Sequence, residues 1–401
     1  MWEQIRSNQI RSVVLVIAMG LLLLAVGYAI GLYFFDSAVI GLVIALALWV
    51  LLNLIGYFQG DSILLSIAKA KKITRDDHPR LFNVVEEMKI ATGLPKMPDI
   101  YIIDDTALNA FATGRDPERA SVAITSGLLA RLNRDELQGV IAHEMSHIKN
   151  RDVLLMALTA VMLGSIVILA WFATRALFFS GGRRSSGGGG QAGIIILIVG
   201  LVFIILAPIA AQFIYFAISR KREYLADASA ALHTRYPEGL ASALEKLGTS
   251  TGQLKTANKA TAPMYIINPF HKKGMAASNL SATHPPLKER IRILRSMAGG
   301  ASFAQYDAAY QQVHKTSDGI MSAGSIAAAG AVGLRGAKAE EPTQVKEPSH
   351  VERTRETADM LYQLNKYKTI TCACGTKLKV PPRFKDNTIR CPHCGRVHRV
   401  K

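Results

Sequence analysis

Cysteine is nearly absent from this chain. It has four in 401 residues, all from position 372 onward and in two close pairs. That excludes the disulfide framework of a small secreted protein and points to a metal site in a reducing compartment. Charge is also scarce: 19% of residues are charged and 50% are hydrophobic, which is low and high respectively for a globular protein. Acidic residues are outnumbered 30 to 47, leaving a net charge of +17. Such an excess suits nucleic acid or an anionic membrane surface, and uncharged runs beside basic clusters select the membrane. A cleavage site is missing after the first apolar run, which is too long for a signal-peptide core, so that run is an anchor.

The apolar residues are concentrated in long runs. Val13–Phe35 and Ala38–Phe58 carry no charge and are separated only by Asp36 and Ser37, which predicts a tight antiparallel hairpin within residues 1–59. Val153–Phe172 and Gly193–Ile218 form a second pair, joined through the Gly-rich stretch Gly181–Gly190. Four crossings put both termini and both inter-pair segments on one side, with Arg6, Arg11, Lys69, Lys71, Lys149, Arg220 and others. The opposite side has Arg175, Arg183 and Arg184, so the positive-inside rule places the polar parts in the cytoplasm. A re-entrant second hairpin is the alternative, and it returns the chain to the same side.

Two soluble segments, 60–152 and 219–298, then form one domain interrupted by the second hairpin. In the first, Leu81–Thr92 has helical periodicity and Asp99–Ile103 and Ser121–Thr125 are short β-branched runs. Glu136–Asn150 predicts a helix containing His143, Glu144 and His147 as His-Glu-x-x-His. Positions four apart share a helical face, so both imidazoles can address one cation, while Glu144 can reach a water held there. Such a water, acidified by the metal, would be a nucleophile with Glu144 as its general base.

A catalytic zinc site of this kind needs a third protein ligand. The candidate is Glu223, four residues before Asp227 and directly after the last apolar run; Asp227 would hold a ligand imidazole by its N–H. Taken alone, the pair is also what an ordinary acidic helix face shows. The need of His143 and His147 for a partner decides between the readings.

These motifs in this order, His143 to His147 and then Glu223-Tyr-Leu-Ala-Asp227, resemble the HtpX-type membrane zinc metalloproteases, which are related to the prenyl-protein (CAAX) endopeptidases. Asn109-Ala-Phe-Ala-Thr-Gly114 and Ala282-Thr-His-Pro-Pro-Leu-Lys-Glu-Arg290 match as well, so the resemblance spans roughly residues 1–296. It implies a mainly α membrane protein with a zincin-like α/β catalytic domain, acting as a zinc endopeptidase on misfolded membrane proteins at the cytoplasmic face. It also implies that Asn109, Ala110 and Phe111 belong to a substrate-pairing edge strand, and that His284 supplies a donor to the developing oxyanion. The other readings are a non-proteolytic membrane adaptor with structural zinc sites, and a prenyl-protein endopeptidase. Glu144 argues against the first and the count of four spans against the second.

Beyond Gly299 the chain departs from that pattern. Residues 299–365 read as a flexible linker rich in Ala, Gly and Ser, then in charge and Pro. In 366–401, Cys372-Ala-Cys374-Gly and Cys391-Pro-His-Cys394-Gly read as two knuckles of a small β zinc ribbon, with iron as the minor alternative metal. A unit this small draws much of its folding energy from the metal. The ribbon is basic but poor in aromatics, which ranks recruitment of a protein partner or substrate above nucleic-acid binding.

Overall fold

A computed structural model describes residues 2–154, 156–157, 220–250, 252, 254–257, 261–269, 284–297, 300–321, 326, 333–335 and 347–400. The expected runs 153–172 and 193–218 lie outside these, apart from 153–154 and 156–157.

Helices α1 (Trp2–Phe35) and α2 (Ala38–Ile67) meet at Asp36, whose φ of 49° lets the chain reverse in two residues. α2 is long and apolar enough to cross a membrane. The two helices cross closely because small residues face each other: a Cβ added to Gly41 would lie 2.1 Å from the Gly27 carbonyl oxygen and 2.6 Å from Gly31 Cα. Trp49 Nε1 also donates to the Val16 carbonyl at 3.2 Å. α2 runs nine residues past the apolar run that ends at Phe58. Its last turns bury Leu64 and Leu65, and Ala68 just beyond, against Ile103, Phe111, Ala123 and Met156. The long apolar helix is thereby continuous with the core of the domain.

That core is a four-stranded sheet covered by helices. The strands are β1 (Lys71–Lys72), β2 (Asp99–Ile103), β3 (Ala110–Gly114) and β4 (Ala120–Thr125), in the order β1-β2-β4-β3. β2 and β4 are parallel, and β3 lies antiparallel to β4 with Phe111 opposite Ala123. Among the described residues β3 is therefore an edge strand. α3 (Pro79–Thr92) begins on His78, whose Nδ1 accepts from the Leu81 amide, and ends on Gly93 at φ 69°.

α4 (Ser126–Arg131) leads to α5 (Arg134–Lys149), started by a reciprocal capping box between Asn133 and Glu136. α5 is buried along its length from Glu136 to Ile148, lying between the sheet and α7 (Pro237–Thr249). α7 approaches so closely that a Cβ on Gly139 would lie 2.7 Å from the Leu240 nitrogen. α6 (220–234) and α8 (Leu287–Arg295) complete the layer around α5.

The expected linker over 299–365 needs correction. Phe303–His314 is a helix, α9, whose Phe303 and Tyr306 are fully buried in the main core. His350–Leu364 is another, α10, with its own capping box at Ser349 and Glu352. It packs on α4 and contributes Met360 to the same core. The Ala/Gly-rich composition between them masked two amphipathic segments whose apolar faces are narrow. Residues 336–346 lie outside the described residues.

The tail ends in two β-hairpins, β5 (Lys368–Thr371) with β6 (Lys377–Val380), and β7 (Thr388–Arg390) with β8 (Val397–Arg399).

Met360 is 1% exposed, so docking of α10 can be tested directly. Met360→Ala is expected to cost about 2–5 kcal/mol and to lower the thermal midpoint of the whole soluble core. An unchanged midpoint would mean that α10 hangs free of that core.

Candidate metal centre

α5 presents His143 and His147 on one face, with Nε2 atoms 3.2 Å apart, and both rings are buried. α6 brings Glu223 to meet them: its Oε2 lies 3.5 Å from His143 Nε2 and its Oε1 3.6 Å from His147 Nε2. One donor atom from each of the three residues falls within 4.8 Å of the others. The three predicted ligands thus converge, although Glu223 follows His147 by 76 residues.

The other ring nitrogens are held by carboxylates. His143 Nδ1 is 3.0 Å from Asp227 Oδ1, and His147 Nδ1 is 3.0 Å from Asp152 Oδ2. With Nδ1 of each ring facing a carboxylate, a bound cation would be met by the two Nε2 atoms and by Glu223. A cation held between the two Nε2 atoms and Glu223 would take over the balancing role that the His143 proton otherwise fills. Two further observations fit a metal: buried Glu223 Oε2 makes no hydrogen bond of normal geometry, and His143 and His147 each have a carboxylate within 3.0 Å of Nδ1, as ligand imidazoles typically do.

Arg290, from α8, is fully buried beneath the site. It donates twice to Asp227, Nε to Oδ2 at 2.8 Å and Nη2 to Oδ1 at 2.7 Å, and Nη1 donates to the Ile266 carbonyl at 3.0 Å. The same Nη1 is 3.5 Å from Glu223 Oε2. The sequence reading assigned Asp227 to an imidazole but missed what holds Asp227 and what holds His147. Arg290 stood in a matched motif without a role; its signal was a basic residue placed among Ile291, Ile293 and Leu294 on a short amphipathic helix. Asp152 opens the helical segment after α5 and carried no signal of its own.

The local field follows from these neighbours. Burial would discharge the His143 imidazolium, but Asp227 and Glu223 outweigh it and push its pKa up to about 9. Burial would also raise Asp227 and Glu223, yet each lies below the ordinary carboxylate range, Asp227 through Arg290 and Glu223 through His284 and the ligand histidines. The pocket therefore attracts positive charge. Glu144 moves the other way. Burial raises its pKa, partly opposed by His143 and His147, and neither carboxylate oxygen makes a hydrogen bond of normal geometry. A carboxyl displaced towards neutral pH beside a cation site is suited to taking and returning protons.

His284 is buried with Nε2 3.9 Å from Glu223 Oε2, and burial pushes its pKa down to about 4. The structure thus brings His284 to the centre. It places Asn109 differently: the Asn109 amide donates to the Ile267 carbonyl at 3.1 Å, and Ala110 O accepts from Ile266 N at 2.9 Å. The ring of Phe111 packs on Tyr265. Alternation along β3 then turns the backbone groups of Ala112 to the same outer side as those of Ala110, beside Glu144, whose carboxylate feels the Ala112 amide.

A second cluster lies in the tail. Cys372, Cys374, Cys391 and Cys394 bring their sulfurs within 4.8 Å of one another. Cys372 is 3.4 Å from Cys394 and Cys374 is 3.7 Å from Cys391. Gly375 and Gly395 adopt φ of 85° and 74°, and their amides donate to the carbonyls of Cys372 and Cys391, each at 2.9 Å. This is the pair of glycine turns read from the sequence.

Comparison with known proteins agrees with this geometry. The family model described as peptidase family M48 matches residues 76–298. A Protease HtpX homolog of Dictyoglomus turgidum is 48% identical over 296 residues, 74% of this chain and 94% of that protein. One of Thermoanaerobacter pseudethanolicus is 44% identical over 298 residues, 74% of this chain and 98% of that protein. The crystal structure of S. mikatae Ste24p aligns with a TM-score of 0.41 and 24% identity over 73% of this chain and 67% of that one.

If Asp152 orients His147, Asp152→Ala should weaken zinc binding at the histidine site about 10–100-fold. Competition with a chromophoric chelator would measure this, with the four-cysteine site as internal reference. Equal affinities in both proteins would remove Asp152 from the design.

Proposed function

The chain belongs to peptidase family M48, and from that premise we propose that this metalloprotease is a membrane-integral zinc endopeptidase acting on misfolded or damaged membrane proteins at the cytoplasmic face. One observation carries the mechanistic reading: His143, His147 and Glu223 converge beside a buried Glu144 whose pKa is raised. M48 metallopeptidases are zinc-dependent, and the two-histidine, one-carboxylate set fits that metal. When bound, zinc would supply Lewis acidity and an acidified water.

In this proposal the chain's own groups do the following. Asp227 and Asp152 hold His143 and His147 by Nδ1, and Arg290 holds Asp227, so ligand geometry is set before any substrate arrives. Glu144 takes the nucleophile's proton on its carboxylate and delivers it to the departing amine nitrogen. The outer edge of β3 beyond Ala110, at Ala112, receives an extended peptide by strand addition, which reads backbone more than sequence and suits unfolded substrates. Asn109 and Ala110 serve by fixing residues 266–267 against the strand, and Ala112 presents its backbone groups beside Glu144. His284 would donate to the carbonyl oxygen as it gains charge.

The membrane arrangement we propose has four spans, 13–35, 38–58, 153–172 and 193–218, with both termini and segments 60–152 and 219–298 in the cytoplasm. It is supported by the α1–α2 hairpin, by the continuity of α2 with the core, and by the basic residues flanking the runs. The four cysteines would hold one structural zinc, and the ribbon would serve recognition of a protein or a surface.

The test is degradation of an unfolded protein by the detergent-purified enzyme with zinc, beside Glu144→Gln. Glu144→Gln should keep its zinc and lose at least about 100-fold in rate. Equal cutting by both would show that Glu144 is not the base, and no cutting by a zinc-loaded wild type would contradict the endopeptidase assignment.

A further inference from the structure

Residues 366–401 carry ten Lys and Arg against a single acidic residue, Asp386. Lys366, Lys368, Lys377, Arg383, Lys385 and Arg390 are all exposed. Lys379 is instead engaged by α10, through Asp359 at 2.9 Å and over the Tyr362 ring at 5.4 Å, which seats the ribbon on that helix. The charge is thus attached to the catalytic domain at a defined place.

The course of α10 decides where. α5 ends at Lys149, just ahead of the apolar run 153–172, so its first residue, Arg134, marks the end far from the membrane. α10 starts beside that end: Glu347 Oε1 accepts from the Arg134 amide at 2.6 Å, and Arg353 Nε donates to the Ala130 carbonyl at 3.4 Å. Fifteen helical residues then advance the chain about 22 Å. α10 finishes at β1, where Asn365 accepts from Lys71 Nζ and donates to Asp104 Oδ2 at 3.3 Å. Lys71 is four residues beyond the end of α2, the helix that leaves the bilayer. The helix therefore carries the chain back to the membrane side and releases it there as the ribbon.

We propose that the ribbon lies on the bilayer and binds anionic phospholipid headgroups, fixing how the catalytic domain is held above the surface. This rests on the membrane-anchored reading above. Electrostatic attraction of a basic module to acidic lipid needs charge and proximity; the charge is present, and the course of α10 towards the end of α2 supplies the approach. Nucleic acid fits less well, because single strands bind through stacking on aromatic platforms. The ribbon's aromatics are Tyr367, already packed on Tyr362 with ring centroids 5.0 Å apart, and Phe384.

The full-length, zinc-loaded protein would be placed in nanodiscs of phosphatidylcholine alone and in discs that also contain phosphatidylglycerol, and amide hydrogen exchange compared. Exchange across 366–401 should slow several-fold in the anionic discs, with α5 unchanged as a reference. The effect should fade at high salt, and Lys377→Glu, Arg383→Glu and Lys385→Glu together should abolish it while the four-cysteine site keeps its metal. Identical exchange in both discs would overturn the proposal. So would protection by a DNA oligonucleotide in neutral discs without protection by acidic lipid. If α1 and α2 are themselves unprotected in either disc, the anchor reading fails first and takes this proposal with it.

Discussion

The constraint on which the structure depends is charge in a dry place. His143, Glu144, His147, Asp152, Glu223, Asp227 and Arg290 are each less than 10% exposed, and they come from α5, its following turn, α6 and α8. An unpaired buried charge is costly, whereas a paired and hydrogen-bonded one is tolerated. Each element therefore needs the others. Arg290 is permitted in the core only because Asp227 takes two of its bonds, and Asp227 is in place to hold His143. The set still directs two imidazole Nε2 atoms and a carboxylate oxygen at one point, and the proposed cation completes the balance.

That constraint accounts for much of the packing. α5 must bring its first turn to the α7 crossing, where Glu136 accepts from Ser242 and Lys246, so that its last turn lies against α6. β3 must remain at the sheet edge if a peptide is to pair beside Glu144. α2 must extend beyond its apolar run to reach that strand, and Arg115, which follows β3 directly, lies over the rings of Tyr57 and Phe58 at 5.4 and 5.5 Å. The helix of the proposed anchor and the proposed substrate strand are mechanically one unit.

How much was legible in the sequence followed from how local each signal was. His143, Glu144 and His147 are encoded by spacing within one helix, and Asn133 with Glu136 marks where it starts. Asp99–Ile103 was read to the residue because β-branched residues dominate it. Glu223 and Asp227 became visible only through what His143 and His147 lacked. Asp152 carried no signal and Arg290 only its place among apolar neighbours, since both acquire their roles from tertiary contacts. α9 and α10 were misread as linker because composition outweighed periodicity: Phe303, Tyr306 and Met360 are single anchors spaced among small or charged residues. The glycine turns of the ribbon were legible because Gly375 and Gly395 each follow a cysteine directly, where a left-handed turn is needed beneath a metal.

The most direct test of this account is anomalous diffraction at the zinc edge from crystals of the full chain grown with zinc. The account predicts two peaks, one enclosed by His143, His147 and Glu223 and one by the four cysteines, with Glu144 beside the first but not coordinating it. A map with density at the cysteines alone, or with the first peak displaced from Glu223, would contradict the claim that this buried charge is arranged around a catalytic metal.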